Sequence, residues 1–386
     1  MTIQETDKKY IAGTYSRFPV EIAYGKGSVA VDTNGKEYID MGSGIGVTSF
    51  GMCDEVWQAA VTAQLGKVQH TSNLYYTEPD SKLAQLLCEK TGMKKVFFSN
   101  SGAEANECAI KVARKYAAEN KGKYCYNIVT LKNSFHGRTL TALAATGQDH
   151  YHELFQPLTP GFKSITAEDY EELSLVDPQS TAAIMMECIQ GEGGVRVLSQ
   201  EYVKAVADYC SENNILLIID EVQTGNGRTG KLYSYMNYGI EPDIVSTAKG
   251  LGGGLPLGAT LLSEKVQYVL GPGDHGSTFG GNPVCCAGAC SILERIDEAL
   301  LSEVAEKGKH AMELFSGAPG IESVDGMGLM IGVKPVKPAG EIVKKCIDKG
   351  VLCLTAKDRI RLLPALNIPA EQLYKAVEII KSACAE

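Results

Sequence analysis

The sequence is poor in aromatic residues and histidine, with one tryptophan, nine phenylalanines and six histidines among 386 residues. It has no run of about eighteen apolar residues, which argues against a membrane-spanning helix. The opening stretch MTIQETDKKYIAGTY is polar and lacks the apolar core of a secretory signal, so a cytoplasmic location is expected. Basic charge is in deficit, with 37 Lys and Arg against 46 Asp and Glu, a formal net charge of −9. Nucleic acid and anionic membrane are therefore not expected as main partners, although a local basic site for a small anion is still allowed. No Cys-x-x-Cys pair occurs among the twelve cysteines, so no metal is expected. The cysteines are scattered, several of them in apolar stretches, as Cys188, Cys210 and Cys353 are. That usage reads as reduced core thiols, not a disulfide framework.

What is present is an ordinary globular composition, 44% hydrophobic and 22% charged, in a chain long enough for two domains. Short apolar strands alternate with amphipathic helices. Strands are expected at Val96–Phe98, Tyr126–Thr130, Ala182–Met186 and Ile215–Asp220, and around Val245, Ala259 and Leu262. Helices are expected from Ala103 to Asn120 and from Glu201 to Asn213. This order implies an α/β fold, a largely parallel sheet covered by helices, with ligands at the carboxyl ends of its strands. Near the amino terminus, Thr33-Asn-Gly35 reads as a hairpin turn between Val29–Asp32 and Tyr38–Asp40. The last quarter reads as a helix from Glu294 to Ser316, strands near Met330–Val333 and Ile360–Leu363, and a closing helix from Glu371. The expected division is residues 1–45 as a segment joining the small domain, 46–290 as the large domain and 291–386 as the small domain.

The most informative pairing is Asp220, which closes the apolar strand Ile215–Ile219, with Lys249 in Asp243-Ile-Val-Ser-Thr-Ala-Lys-Gly250. A carboxylate at a strand end and a lysine beside a glycine cluster suit pyridoxal phosphate. The lysine forms a Schiff base and the carboxylate keeps the pyridine nitrogen protonated. Most lysines are solvated surface charges, so the pairing carries the reading, not the lysine alone. In Phe98-Ser-Asn-Ser-Gly-Ala-Glu-Ala-Asn106, small residues at Ser101, Gly102 and Ala103 would leave helix N-terminal N–H groups open to a phosphate. A plain helix start capped by Ser101 or Asn100 fits the same residues.

Asn133-Ser-Phe-His-Gly-Arg-Thr139 offers Phe135 as a stacking face and Arg138 as a carboxylate fork, or else a core ring and a surface charge. Glu187-Cys-Ile-Gln-Gly-Glu-Gly-Gly194 is either a solvated loop or one whose Glu192 pairs with an arginine when no carboxylate substrate is bound. Gln223 stands ready to donate to a phenolic oxygen, and Gly276-Ser-Thr-Phe-Gly-Gly-Asn-Pro283 presents hydroxyls for a second phosphate contact. Arg359 and Arg361 alternate on one strand face, one to anchor an α-carboxylate and the other a surface charge.

Taken in order, S-G-A-E-A-N, F-H-G-R-T, Q-G-E-G-G, D-E-V-Q-T-G, A-K-G and G-S-T-F-G-G-N-P resemble the class III pyridoxal-phosphate aminotransferases of fold type I. The likeness runs from Thr14-Tyr-Ser-Arg-Phe-Pro19 to Arg361-Leu-Leu-Pro364 and is greatest to the acetylornithine branch. It implies a seven-stranded, mostly parallel sheet in the large domain, a smaller α/β domain, and pyridoxal 5′-phosphate as cofactor. It implies Lys249 as Schiff-base lysine and proton shuttle, Asp220 at the pyridine nitrogen, Phe135 on the ring and Gln223 at the phenolate. Ser101, Gly102 and Ala103 would hold the phosphate, joined by Thr278 from a neighbouring subunit of a homodimer. Arg361 would bind the α-carboxylate of glutamate or 2-oxoglutarate, Arg138 a further carboxylate with Tyr15 near the distal end, and Glu192 would act as gate.

The implied activity is transfer of the δ-amino group of N-acetylornithine to 2-oxoglutarate, a step of arginine biosynthesis. Ile45, where ornithine enzymes of the family carry a tyrosine, favours an acylated α-amino group. Departures from the family pattern at Met52, Asp54, Cys188 and Asn226 leave the acyl group open. Alternatives are a related ω-aminotransferase for succinylornithine, ornithine or 4-aminobutyrate, and a silent binding protein of the same fold.

Overall fold

A computed structural model describes residues 1–386. Strands β1 (Ile22–Lys26), β2 (Val29–Asp32) and β3 (Glu37–Asp40) form an antiparallel meander, with its second turn at the expected Thr33-Asn-Gly35. Asp32 caps that turn, its Oδ1 accepting from the N–H groups of Asn34 and Lys36 at 2.8 and 2.9 Å.

The large sheet follows. Its strands are β4 (Lys95–Ser99), β5 (Asn127–Leu131), β6 (Phe162–Ile165) and β7 (Thr181–Met186). A two-stranded ribbon of β8 (Ile189–Gln190) and β9 (Arg196–Val197) intervenes, before β10 (Leu216–Asp220), β11 (Ile244–Thr247) and β12 (Gly258–Leu262). The seven strands lie in the order β4-β12-β11-β10-β7-β5-β6. All run parallel except β12, antiparallel to both neighbours. The link from β11 to β12 explains the exception. Residues 248–257 are too few for the crossover a parallel return needs, so the chain turns straight back.

Alternation within strands builds a core on each sheet face. Leu217 and Ile219 of β10 join one buried cluster with Ile184, Met186 and Val245. Leu216 and Ile218 join the opposite cluster with Ala183, Met185 and Ile244, covered by the helix Gly102–Asn120.

The third core gathers Tyr38, Ile39 and Met41 with residues from Val304 to Cys384. Its sheet contains β13 (Ile321–Met327), β14 (Met330–Pro335), β16 (Leu354–Ala356) and β17 (Arg359–Leu362), while β15 (Val351–Leu352) extends the amino-terminal meander. The helix expected over 294–316 is present as Glu298–Phe315, and a separate helix, Pro283–Leu293, precedes it. Asp297 makes the break, its carboxylate accepting from the Leu300 N–H at 2.9 Å as an N-cap. Position 290 falls inside the first helix, where Ile292 and Leu293 still pack on the large sheet. The chain reaches the other core at Val304. Arg228 links the two bodies, its buried guanidinium donating to the Leu329 carbonyl at 3.2 Å and to the Pro364 carbonyl.

Candidate active site

The carboxyl ends of the parallel strands meet in one place, and each delivers a motif. Asp220 closes β10 and is 3% exposed. Its Oδ2 accepts from Asn106 Nδ2 and lies against His136 Nδ1, each at 2.8 Å, and its Oδ1 accepts from the Val222 N–H at 2.9 Å. An ionised carboxylate offers about four acceptor positions, so one stays open for a further donor. His136 is raised above the usual imidazole value. Burial opposes its charged form, but the hydrogen bond and charge of Asp220, with Glu187 behind, outweigh burial.

Lys249 stands two residues past the end of β11 and sits with φ +44° at the start of a short 3-10 turn. Its amine is held below the usual lysine value. Burial is the main cause and the Arg361 guanidinium adds to it, only partly offset by Glu192, Asp220 and Glu187. A lysine shifted in this direction carries more free amine, the nucleophilic form. The turn is braced from outside the motif. Ser49 Oγ donates to the Gly250 carbonyl at 2.9 Å, and Trp57 Nε1 to the Gly252 carbonyl at 3.1 Å. Asn226, in a left-handed conformation that asparagine tolerates, donates to Thr247 Oγ1 and the Ala248 carbonyl at 3.1 Å each.

Ser101 caps the helix Gly102–Asn120, its Oγ accepting from the Glu104 N–H at 3.2 Å. The expected helix start is thus present, and its cap takes only one of the first-turn donors. Gly102 is fixed by contact, since a Cβ there would lie 2.5 Å from a Val222 methyl. Phe135 is half-buried, and the exposed Arg138 guanidinium lies 5.4 Å from its ring centre and 4.2 Å from that of Tyr151.

Arg361, 3% exposed, donates to Glu192 Oε1 and, at 3.1 Å, to Gln223 Oε1. Gln223 Nε2 reaches the same Glu192 oxygen at 3.4 Å, which closes a three-residue ring of contacts. Burial alone would raise the Glu192 carboxyl, but Arg361 and then Lys249 hold it below the usual value.

The structure therefore brings together Ser101, Gly102, Ala103, Phe135, Glu192, Asp220, Gln223, Lys249 and Arg361. Thr278 is exposed on a loop whose Ser277 Oγ accepts from Asn100 Nδ2 at 3.0 Å. Tyr15 is 74% exposed beside Arg17, with no hydrogen bond into this cluster. Arg359 is not a surface charge. It crosses Gly332 and ends 3.9 Å from Asp325, with its side chain 16% exposed. Nor is Glu187 solvated, at 5% exposure. Sequence reading passed over Asn106, His136 and Trp57 as functional groups. The first two stood inside quoted motifs, and the position of His136 directly after a ring-face candidate was the available signal.

The model of the class-III aminotransferases matches residues 10–384. The chain belongs to this family. Class-III aminotransferases use pyridoxal phosphate, and the donor set above fits that group: an amine, an open carboxylate position and a helix N-terminus whose cap leaves first-turn N–H groups free. Among relatives of this class-III chain, the acetylornithine aminotransferase of Haemophilus ducreyi is 48% identical, covering 100% of this chain and 98% of that protein. Among solved structures, an ornithine aminotransferase from Toxoplasma gondii, with partial occupancy of PLP at its active site, superposes with TM-score 0.94. It is 34% identical and covers 99% of this chain and 93% of its own. The acetylornithine aminotransferase from Elizabethkingia anophelis gives TM-score 0.88 at 32% identity, covering 98% of this chain and 97% of its own.

Proposed function

We propose that this class-III aminotransferase moves the δ-amino group of N-acetylornithine to 2-oxoglutarate, in both directions and by alternating half-reactions. The observation that carries the reading is the convergence of Lys249, Asp220 and the Arg361–Glu192 pair at the ends of neighbouring strands. When bound, pyridoxal phosphate supplies the carbonyl carbon and the electron-withdrawing ring. Lys249 holds it covalently through Nζ and carries the proton on and off the substrate carbon that bears nitrogen. Asp220, oriented by Asn106 and His136, keeps its open acceptor position for the ring nitrogen's proton. With the group bound, Phe135 would face its ring, Gln223 would donate to its phenolic oxygen, and the N-terminal groups of Ser101, Gly102 and Ala103 would hold its phosphate.

Arg361 receives the α-carboxylate of the oxo acid after Glu192 leaves it, so one site accepts two substrates of different charge. Arg138, whose contacts within the chain are aromatic, takes the carboxylate of the acylated donor, with Tyr15 at the distal end. Homodimer formation is part of the reading, with Thr278 directed to a neighbouring subunit's phosphate. Its support is an exposed apolar strip, Leu74, Tyr75 and Tyr76, beside the loop that carries Thr278. No helix is long and apolar enough to cross a membrane. Cytoplasmic placement rests on the twelve free thiols. The division is taken as 1–45, 46–290 and 291–386, with the second boundary carried on to the break at Asp297 because the helix Pro283–Leu293 still packs on the large sheet.

The test is a panel of N-acetylornithine, N-succinylornithine, ornithine and 4-aminobutyrate with 2-oxoglutarate. N-Acetylornithine should give the highest kcat/KM. Lys249→Ala should abolish turnover with every donor and remove the visible absorbance of the loaded protein. Normal turnover in that variant would overturn the assignment, whereas a preference for another donor would change only the substrate.

A further inference from the structure

The loop that contributes Glu192 begins with a second acid, Glu187, directly after β7. Glu187 lies between two loops of the site. Its Oε1 accepts from the Phe135 N–H at 2.9 Å, and its Oε2 accepts from the Gly191 N–H at 3.2 Å. Phe135 belongs to the segment read as facing the cofactor ring, and Gly191 directly precedes Glu192. The two segments also approach closely elsewhere. Gln190 Nε2 donates to the Lys132 carbonyl at 2.9 Å, and a Cβ on Gly193 would come within 2.7 Å of the Asn133 carbonyl.

We propose that Glu187 is a positioning residue, a proton-sensitive clamp that locks the ring-face loop to the gate loop in its ionised form. Two carboxylate oxygens match two backbone donors, and an ionised acceptor binds each of them about twice as strongly as a neutral one. Protonation turns one oxygen into a donor facing an N–H group, which loosens one side of the clamp. Around Glu187 stand His136 from the ring-face loop, Asp220 at the end of β10 and Lys249 after β11, with the Glu192–Arg361 pair beyond. Burial pushes the Glu187 carboxyl up to about 7, opposed by His136 and reinforced by the charge of Asp220. The clamp would thus open and close within the neutral range. This inference rests on the reading of Phe135 and Glu192 given above, but the clamp itself needs no substrate.

Amide hydrogen exchange of the cofactor-loaded, substrate-free protein between pH 6 and 8 tests it, with rates corrected for intrinsic chemistry. Segments 133–138 and 189–195 should gain protection together, severalfold, as the pH rises, relative to the closing helix from Ala370. Glu187→Gln keeps one acceptor and places an NH2 group against the other N–H. One of the two segments should therefore exchange fast at every pH, and the pH response should vanish.

A second readout is the thermal stability of the protein without cofactor. The folded chain holds the Glu187 proton to about 7 against an ordinary 4.5, so its contribution is fully present at low pH and is lost as the pH rises through 7. Glu187→Gln should flatten that slope. Segments that respond to pH separately or not at all, or a variant that keeps the wild-type pH response, would refute the clamp. If the variant does not fold, the wild-type exchange decides alone. Because exchange does not depend on turnover, its failure is distinguishable from failure of the proposed reaction.

Discussion

At Lys249 the backbone stands at φ +44°, a conformation that non-glycine residues rarely adopt and that costs roughly 1–3 kcal/mol. The hydrogen bonds from Asn226, Ser49 and Trp57 hold the turn in that conformation. Strain of this kind is retained where it aims a reactive group, and here it directs an amine already biased toward its free form. Arg361 plays the complementary part. Its guanidinium is buried, and its carboxylate partner is the side chain of Glu192, which in the proposed reaction an incoming carboxylate displaces. Arg361→Ala should raise the KM for 2-oxoglutarate about 10- to 100-fold, since a charge-assisted contact is worth about 1.5–3 kcal/mol. Steady-state kinetics with N-acetylornithine held saturating would measure it. An unchanged KM would mean that the oxo acid is bound by another group.

Strand ends and helix starts do most of the positioning at the level of elements. The start of the helix Gly102–Asn120 is pinned by Val222, two residues beyond Asp220, so the phosphate loop and the strand-end acid are set by one contact. Gly102→Ala would gain up to about 1 kcal/mol of helix propensity. It would also force a methyl against a stiff β-branched side chain, at a cost of about 1–3 kcal/mol. The balance predicts a lower Tm and weaker binding of pyridoxal phosphate, both readable in one thermal and one titration experiment. Wild-type values in both would show that Val222 simply moves aside. The turn from β11 to β12 has a similar double use, because its shortness reverses β12 and seats Lys249 at the sheet's carboxyl edge.

For the whole molecule, two sheet-based bodies face each other across the site, and Arg361 on β17 of the smaller one reaches residues of the larger. Arg228 reinforces that arrangement with carbonyl partners from the smaller body. Burial lowers its guanidinium to about 10, leaving it charged at neutral pH. The exposed strip of Leu74, at 87%, and Tyr76, at 102%, fits a buried contact in the proposed homodimer. Replacing both with glutamate should place two unpaired charges in that contact and shift the proposed homodimer to monomer in sedimentation velocity. Turnover should fall in parallel, because Thr278 would lose its neighbour. A dimer that persists would locate the interface elsewhere.

Local chemistry made much of this legible in advance. A strand-end aspartate, a lysine before a glycine cluster and a small-residue helix start each state their purpose within a few residues, because strand alternation and helix capping are short-range rules. Asp297 shows the limit even there. Its cap starts the helix at Glu298, four residues later than the expected Glu294, and separates it from the preceding helix Pro283–Leu293. Contacts between distant segments were decided only by the tertiary structure: Asn106 and His136 converging on one oxygen of Asp220, Trp57 bracing Gly252, and Glu187 spanning two loops. Each joins groups on different elements, and their meeting depends on how the sheet orders its strands. Sequence alone determined that an aspartate and a lysine stand at or just past the ends of successive strands, which is what their proposed roles rest on. Folding decided the neighbours that tune them, because burial and charge at a site are properties of everything packed around it.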